Sequence, residues 1–149
     1  MYMFDKIRLL EVGDYYKGYL NLLGQLTQVG NIEYSDFVAN IDLINQNSNN
    51  HQIWVIPNLD ETQILASGTL LIEPKFIHNC GSVGHIEDIV VSDSARGLGL
   101  GQQIVQHLIA QAKLNPKCYK VSLYCKPELT KFYQKSNLQI KDTQMVLYF

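Results

Sequence analysis

Basic charge is scarce in this sequence, which holds 12 Lys and Arg against 14 Asp and Glu, for a formal net charge of −2. No basic stripe or arginine-rich tract is present, so a nucleic-acid partner is not expected. Long apolar runs are also missing, because the longest, at 64–72, is interrupted by a Ser-Gly-Thr triplet. The N-terminus carries Lys6 and Arg8 where a signal peptide needs an apolar segment, so neither a leader nor a membrane partner is expected.

Cysteine is equally sparse. Cys80, Cys118 and Cys125 form no C-x-x-C pair, and no N-x-S/T sequon occurs, which fits a reducing, cytoplasmic setting. The four histidines show no H-x-x-x-H spacing, so no metal site is expected. Since the chain has no linker and no internal repeat, it is predicted to form one domain over residues 1–149.

The stretch at 84–101, GHIEDIVVSDSARGLGLG, is the most informative part of the chain. An apolar run precedes a glycine-rich turn, and Ile104, Val105 and Leu108 then recur at helical spacing. The pattern predicts a buried strand that leads through a glycine loop into a helix N-terminus. Free backbone N–H groups and the positive end of the helix dipole make such a place suitable for a phosphate.

Three classes of phosphate ligand bind glycine loops of this general type, and the residues of this loop discriminate among them. A P-loop is excluded, because Gly101 is followed by Gln102 where that motif needs Lys and then Ser or Thr. A dinucleotide fingerprint is disfavoured, because the spacing is Arg-x-x-Gly-x-Gly and the next predicted strand, 119–125, carries no acid. The third candidate ligand is an acyl-coenzyme A. The alternative without a ligand is that the loop is only a glycine-rich helix cap.

Hydrophobic periodicity predicts an α/β (α+β) fold with a mixed, mostly antiparallel sheet and helices on both faces. The strands are placed at 6–10, 53–56, 64–72, 85–91, 119–125 and 140–149, and residues 75–78 are expected to be extended. The helices are placed at 13–28, at 35–44 with Ser35 as the cap, at 101–113 and at 127–136. A helix between 85–91 and 119–125 makes these two strands a parallel pair.

The glycine loop matches the pyrophosphate loop Q/R-x-x-G-x-G/A of the GNAT acetyltransferase superfamily. Four further segments, in the right order over nearly the whole chain, resemble the glucosamine 6-phosphate N-acetyltransferase family: Thr27-x-Val29-Gly30, Glu73-x-Lys75-x-Ile77-His78, HIEDIVV and Lys131-Phe132-Tyr133. The resemblance implies a GNAT fold with a splayed parallel strand pair. It also implies acetyl transfer from acetyl-CoA to glucosamine 6-phosphate by direct attack in a ternary complex, on the route to UDP-N-acetylglucosamine, in a homodimer.

The same resemblance implies where acetyl-CoA binds. The backbone of Ile89, Val90 and Val91 would pair with pantetheine, and Arg96 is either an added charge for the phosphates or a solvated arginine. Leu98 and Leu100 are expected to pack. The remaining implied cofactor residues are Gly97, Leu98, Gly99, Leu100, Gly101 and Gln102, whose N–H groups would hold pyrophosphate, together with Lys131 and Tyr133.

Acetyl transfer needs a base for the amine and an acid for the leaving thiolate. Tyr133 is predicted to be the acid, because a phenol with a pKa near 10 is protonated at neutral pH. Glu87 is predicted to be the base or the anchor of the amine, since acids on an apolar strand are costly unless paired or functional. Asp88 should face the opposite side unless the strand bulges, whereas His85 is expected to satisfy a backbone group.

The resemblance assigns Thr27, Lys75 and His78 to the sugar phosphate, together with Glu87 and Asp88. This chain departs from the family pattern at Tyr124, where an acid is usual, at Leu129, where an asparagine is often found, and in its non-basic end, Met145-Val146-Leu147-Tyr148-Phe149. Two alternatives therefore stay open. One is a GNAT enzyme for another amine, such as a protein N-terminus or a polyamine, and the other is a non-catalytic acyl-CoA-binding domain.

Overall fold

The structure, a computed structural model, describes residues 6–149, so the first five residues of the predicted domain lie outside it. Five strands are formed, by Arg8–Leu9 (β1), His51–Pro57 (β2), Ile64–Pro74 (β3), Ser82–Val91 (β4) and Cys118–Ser122 (β5). The helices are Tyr19–Gly24 (α1), Tyr34–Asn45 (α2), the single turn Ile77–Cys80 (α3), Leu100–Lys113 (α4) and Thr130–Gln134 (α5). None of the helices in this range is long and apolar enough to cross a bilayer.

The sheet has the order β1-β2-β3-β4-β5. Neighbouring strands are antiparallel except for β4 and β5, which are parallel and joined through α4. The predicted mixed, mostly antiparallel sheet is therefore confirmed. The crossover helix brings the C-terminal end of β4 next to the N-terminal end of α4, where the glycine loop lies.

Two apolar layers cover the sheet. On one face, the residues Tyr19, Leu22, Phe37 and Ile41 of α1 and α2 pack on Val55 and Val90. On the other face, α4 buries a helical stripe whose members Ile104, Val105 and Leu108 have no exposed surface. Burying each such side chain contributes about 1.5–3 kcal/mol, so α4 is fixed firmly against β3 and β4.

The N-terminal segment differs from the predicted single helix at 13–28. Gly18 has a left-handed φ of 73°, which separates a 3-10 segment, Val12–Lys17, from α1. Asp14 is fully buried there and accepts hydrogen bonds from Arg8 Nη2 at 2.7 Å and from the Glu11 N–H at 2.9 Å. Burial alone would raise the pKa of the Asp14 carboxyl, but these hydrogen bonds hold it below its ordinary value. The ion pair therefore ties β1 to the 3-10 segment.

Three other predicted boundaries are wrong. Helix α2 begins at Tyr34, so Glu33 and not Ser35 precedes it. Residues 75–78 are not extended, because they enter the α3 turn, in which His78 and its two successors have φ values between 51° and 58°. The predicted strand at 140–149 is not formed, and the segment has no regular secondary structure.

Candidate active site

Among residues 6–149, no strand pairs with one edge of the C-terminal half of β4. The parallel ladder runs from Ser82↔Cys118 to His85↔Ser122 and ends there, while β4 continues to Val91 and pairs with β3 on its other edge. The predicted splaying of the parallel pair is therefore confirmed. Ile89 and Val91 lie in this open stretch and pack in the same apolar cluster as Tyr133 of α5.

The glycine loop leads directly into α4. Gly97 and Gly99 have φ values of 81° and 83°, a left-handed conformation that favours glycine. Gly99 is the N-cap, and the bond from the Gln103 N–H to the Gly99 carbonyl, at 3.1 Å, begins the helix. The N–H groups between these glycines and Gln103 stand at the positive end of a 14-residue helix, which is where a helix attracts a phosphate.

Side chains around the loop have different surroundings. Leu100 is buried, as predicted, but Leu98 is 53% exposed, so the prediction that it packs is wrong. The Arg96 guanidinium lies 2.7 Å from Asp93 in an exposed ion pair, and the Gln102 amide donates to the Ser136 hydroxyl. Gly101 is buried beside Phe132, which fixes α5 against the start of α4.

A bulge in β4 brings Glu87 and Asp88 to one cavity. Thr69 pairs with Glu87 and Ser67 pairs with Val90, so Gly68 alone lies opposite two residues of β4. Asp88 has a φ of 52°, which costs on the order of 1–3 kcal/mol and is typical of functional sites. The expectation that the two acids face opposite sides holds for a regular strand and fails here, because both side chains line the same space.

That space is a cavity of about 660 Å³ between β4, β3, α1 and α2. Its wall is mostly apolar, and within residues 6–149 the lining includes no Lys or Arg. The two acids stand among apolar side chains, of which Tyr19, Leu23, Phe37 and Ile44 are examples. Of the five predicted sugar-binding residues, only Glu87 and Asp88 line this cavity.

Burial raises the pKa of Glu87 above its ordinary value of 4.5. The charge of the neighbouring Asp88 raises it further, and His85 partly opposes both effects. A carboxyl with such a raised pKa is nearer to neutral pH, which makes Glu87 a better proton acceptor than an exposed glutamate.

His85 belongs to a polar cluster that the sequence did not reveal. Its Nε2 atom lies 2.7 Å from Glu73, and Lys75 lies 2.5 Å from the other oxygen of the same carboxylate. The prediction that His85 satisfies a backbone group is therefore wrong. Because His85 and Glu87 are two residues apart on one strand face, the i, i+2 spacing was the signal that could have placed them together.

The other predicted acceptor residues lie apart from the cavity. His78 stacks on Tyr119 with ring centroids 4.0 Å apart, within the left-handed turn. Thr27 is exposed just beyond α1, where its N–H donates to the Leu23 carbonyl at 3.1 Å. Gln25 accepts a hydrogen bond from the Asp93 N–H at 2.8 Å, which links this segment to the approach to the glycine loop.

Tyr133 is half-buried on α5 beside Phe132, with ring centroids 4.9 Å apart. Burial raises the pKa of its phenol, and the nearby Cys125 raises it further. The hydroxyl is therefore protonated at neutral pH and can donate a proton. Lys131, on the same helix, is exposed.

A substitution at Gly68 tests how tightly the side chains pack beneath the bulge. A Cβ at this position would lie 2.6 Å from Ile89 Cδ1 and 2.9 Å from Leu108 Cδ1. We expect Gly68→Ala to lower the free energy of unfolding by about 1–3 kcal/mol, measured by urea denaturation, because overpacking forces side chains or backbone to shift. Gly24→Ala is the control, since nothing lies within 4 Å of its Cβ position. Equal stability of the two variants would contradict a tight contact at Gly68.

The comparison with known proteins agrees with this geometry. Residues 20–137 match the family model of the acetyltransferase (GNAT) family. This chain belongs to the GNAT acetyltransferase family. The GNAT model covers the glycine loop, the bulge and Tyr133, and GNAT acetyltransferases use acetyl-CoA.

Relatives resemble this GNAT chain over almost its full length. It is 42% identical to a glucosamine 6-phosphate N-acetyltransferase of Arabidopsis thaliana, over 97% of this chain and 96% of the relative. The crystal structure of the Arabidopsis thaliana enzyme superposes with a TM-score of 0.93 and 97% coverage of both chains. An acetyltransferase of Trypanosoma brucei is 31% identical, with a TM-score of 0.88 over 97% of this chain and 99% of that one.

No group of three or more potential metal ligands occurs among residues 6–149 of this GNAT chain. The candidate site combines an open strand edge, a helix N-terminus, two carboxylates and a phenol. These groups can hold an extended ligand, bind its phosphates, accept a proton from an amine and donate a proton to a leaving group.

Proposed function

We propose that this chain transfers the acetyl group of acetyl-CoA to the amine of D-glucosamine 6-phosphate. The products are N-acetyl-D-glucosamine 6-phosphate and CoA, and the reaction serves UDP-N-acetylglucosamine biosynthesis. The observation that carries the proposal is the 42% identity, over nearly the full length of both chains, to an enzyme of that name. Cysteines without C-x-x-C pairing support a cytoplasmic setting.

Acetyl-CoA lies along the open edge of β4 in this proposal. The free backbone groups of Ile89, Val90 and Val91 bind the pantetheine amides as a neighbouring strand would. The N–H groups from Gly97 to Gln102 bind the pyrophosphate, and Lys131 stands on α5 beside the same region. Arg96 contributes charge after it leaves Asp93, with which it forms a weak exposed pair.

Glu87 and Tyr133 perform the proton transfers. Glu87 takes a proton from the substrate ammonium, and Asp88 holds that cation in the same cavity. The amine then attacks the thioester directly, and Tyr133 donates its proton to the departing thiolate. Tyr124, where the family pattern has an acid, is exposed beyond β5, so the base comes from β4.

The sugar phosphate lies outside the apolar cavity in this arrangement. Lys75 and His78 do not line the cavity, and both lie on the segment that follows β3. We assign the phosphate and hydroxyl groups to these two residues, with Thr27 beyond α1. The amine reaches Glu87 from the mouth of the cavity.

We propose that the active form is a homodimer. The tail exposes a continuous apolar segment, in which Met145 is 93% and Tyr148 is 89% accessible. Such a patch is typical of a surface covered by a partner. In the proposed dimer, the partner subunit covers this tail and helps to complete each site. It thereby compensates for the basic tail that this chain lacks.

The proposed function is tested by thiol release from acetyl-CoA. We expect release with glucosamine 6-phosphate and little with glucosamine, glucose 6-phosphate or a peptide amine. Glucose 6-phosphate controls for hydrolysis, since it has the phosphate without the amine. Release with a peptide amine alone would overturn the sugar-phosphate substrate, and binding of acetyl-CoA without release would leave a non-catalytic acyl-CoA-binding domain.

A further inference from the structure

His85 lies at the point where the two parallel strands of the sheet separate. The ladder between β4 and β5 ends at the pair His85↔Ser122, and β4 continues to Val91 without a β5 partner among the described residues. A side-chain contact is made at the same point, because the Ser122 hydroxyl lies 3.4 Å from His85 Nδ1. The gap in which acetyl-CoA is proposed to bind therefore begins directly beside His85.

His85 also joins β4 to β3. Its Nε2 atom lies 2.7 Å from one oxygen of the Glu73 carboxylate, and Lys75 Nζ lies 2.5 Å from the other oxygen. The hydrogen bond from Lys75 first, and that from His85 second, hold the pKa of Glu73 below its ordinary value, so Glu73 is an anion at neutral pH. The imidazole of His85 is thus held at both of its nitrogen atoms, by β3 on one side and by β5 on the other.

His85 and Glu87 are neighbours on one face of β4. They are two residues apart and precede the bulge at Asp88, so their side chains point to the same side of the sheet. Leu71 pairs with His85 and Thr69 pairs with Glu87, and both partners line the cavity that Glu87 lines. His85 therefore lies at the end of this cavity, and the strand segment that it holds is the one that carries the proposed base.

The charge of His85 acts on Glu87 as well. Burial first and the Asp88 carboxylate second raise the pKa of Glu87, whereas His85 lowers it in part. A protonated imidazole favours the carboxylate form of a neighbouring acid, and this is the form that accepts a proton from an ammonium group. Loss of the charge would favour the protonated form of Glu87, which cannot act as a base.

Titratable groups surround this pair from every element packed against it. The cluster at His85 contains Glu73 and Lys75, and β5 carries Lys120 two residues before Ser122. The titratable groups that line the cavity with Glu87 are Asp88 of β4, Asp36 of α2, His51 of β2 and Tyr19 of α1. Among the described residues, Asp88 and His85 are the charges that act on the pKa of Glu87, and they act in opposite directions.

We propose that His85 is a positioning residue for the acetyl transfer. Held by Glu73 and Ser122, it fixes the strand that carries Glu87 at the edge of the gap and keeps Glu87 in its carboxylate form. His85 acts through Glu87 and is neither the proton acceptor nor the proton donor of the reaction. This role rests on the proposed function, in which Glu87 is the base.

The test compares two substitutions at His85 that differ in charge. Glutamine is neutral, whereas lysine keeps a positive charge on a long side chain. For His85→Gln, kcat/KM for glucosamine 6-phosphate should fall further below that of the unmodified chain as the pH falls, because Glu87 then loses its carboxylate form at a higher pH. His85→Lys should reduce this additional loss at low pH, since it restores the charge.

Ser122→Ala separates the position of the strand from the charge. It removes the contact with β5 and leaves the imidazole in place, so we expect kcat/KM to fall by about 2–10-fold at every pH, as for the loss of one hydrogen bond. His107→Gln is the matched control for the histidine substitution. His107 is half-buried beside Trp54 on α4, on the opposite face of the sheet, so its substitution should leave the pH dependence unchanged.

An NMR titration of the Glu87 carboxyl gives a readout that does not depend on catalysis. We expect its midpoint to lie at higher pH in His85→Gln than in the unmodified chain or in His107→Gln. A midpoint that His85→Gln leaves unchanged, or an identical loss of kcat/KM for the glutamine and lysine variants at every pH, would overturn the role of His85 alone. No thiol release by the unmodified chain with any amine would overturn the proposed function and this role together.

Discussion

Tyr133→Phe is expected to lower kcat by about 10²–10⁴-fold, the usual contribution of a general acid. The substitution removes the hydroxyl and keeps the ring that packs beside Phe132, so the fold and the affinity for acetyl-CoA should be retained. Because burial and the nearby Cys125 raise the pKa of this phenol, it holds its proton at neutral pH and can give it to the thiolate. Thiol release under saturating acetyl-CoA measures the effect.

The control for this variant is Tyr16→Phe, which makes the same change at a tyrosine that is 73% exposed. We expect its kcat to equal that of the unmodified chain. If Tyr133→Phe lowered kcat by less than about threefold, the thiolate would leave without protonation by this residue, and Tyr133 would be a packing residue only.

Glu87→Gln is expected to lower kcat/KM by a similar factor of about 10²–10⁴ at pH 7. The amide keeps the size of the side chain and cannot accept a proton from the ammonium. The pKa of Glu87 is raised by burial first and by Asp88 second, against the opposing effect of His85. Since the active form is the carboxylate, kcat/KM should fall as the pH falls through a pKa above 4.5.

The pH profile tests whether the carboxylate form of Glu87 is the active form. Titration of the substrate amine affects the unmodified enzyme and the Glu87→Gln variant equally. The kcat/KM of the unmodified enzyme divided by that of the variant therefore reports the titration of Glu87 alone. We expect this ratio to decrease with falling pH, because the unmodified enzyme loses its carboxylate while the variant has none to lose. A ratio that stays constant with pH would show that the carboxylate of Glu87 contributes nothing to kcat/KM, and Glu128→Gln, at an exposed glutamate, controls for the chemical change.

The sheet and the glycine loop could be predicted because their signals are local. Apolar runs located β2, β3 and β4, and the helical spacing of Ile104 and Leu108 located α4. The position of that helix between two strands predicted the parallel crossover. The glycines at 97 and 99 have the left-handed φ values that a tight turn into a helix requires. Each of these features depends on residues that are close in sequence.

The acceptor site could not be predicted fully because it depends on tertiary register. The bulge at Asp88 follows from the way β4 meets Gly68 on β3, and no spacing within HIEDIVV indicates it. The pairing of His85 with Glu73 joins residues that are 12 apart across an antiparallel ladder. The tail shows the opposite failure, because its alternating apolar residues predicted a strand at 140–149 and none is formed there.

The edge of β4 beyond His85 also bears on how the protein behaves without its cofactor. An unpaired strand edge accepts any extended peptide, and edge-to-edge joining of sheets begins in this way. The backbone groups that are proposed to pair with pantetheine are the same groups that another chain would use. If acetyl-CoA binds as proposed, it covers this edge, and we expect the chain to aggregate less when acetyl-CoA is bound.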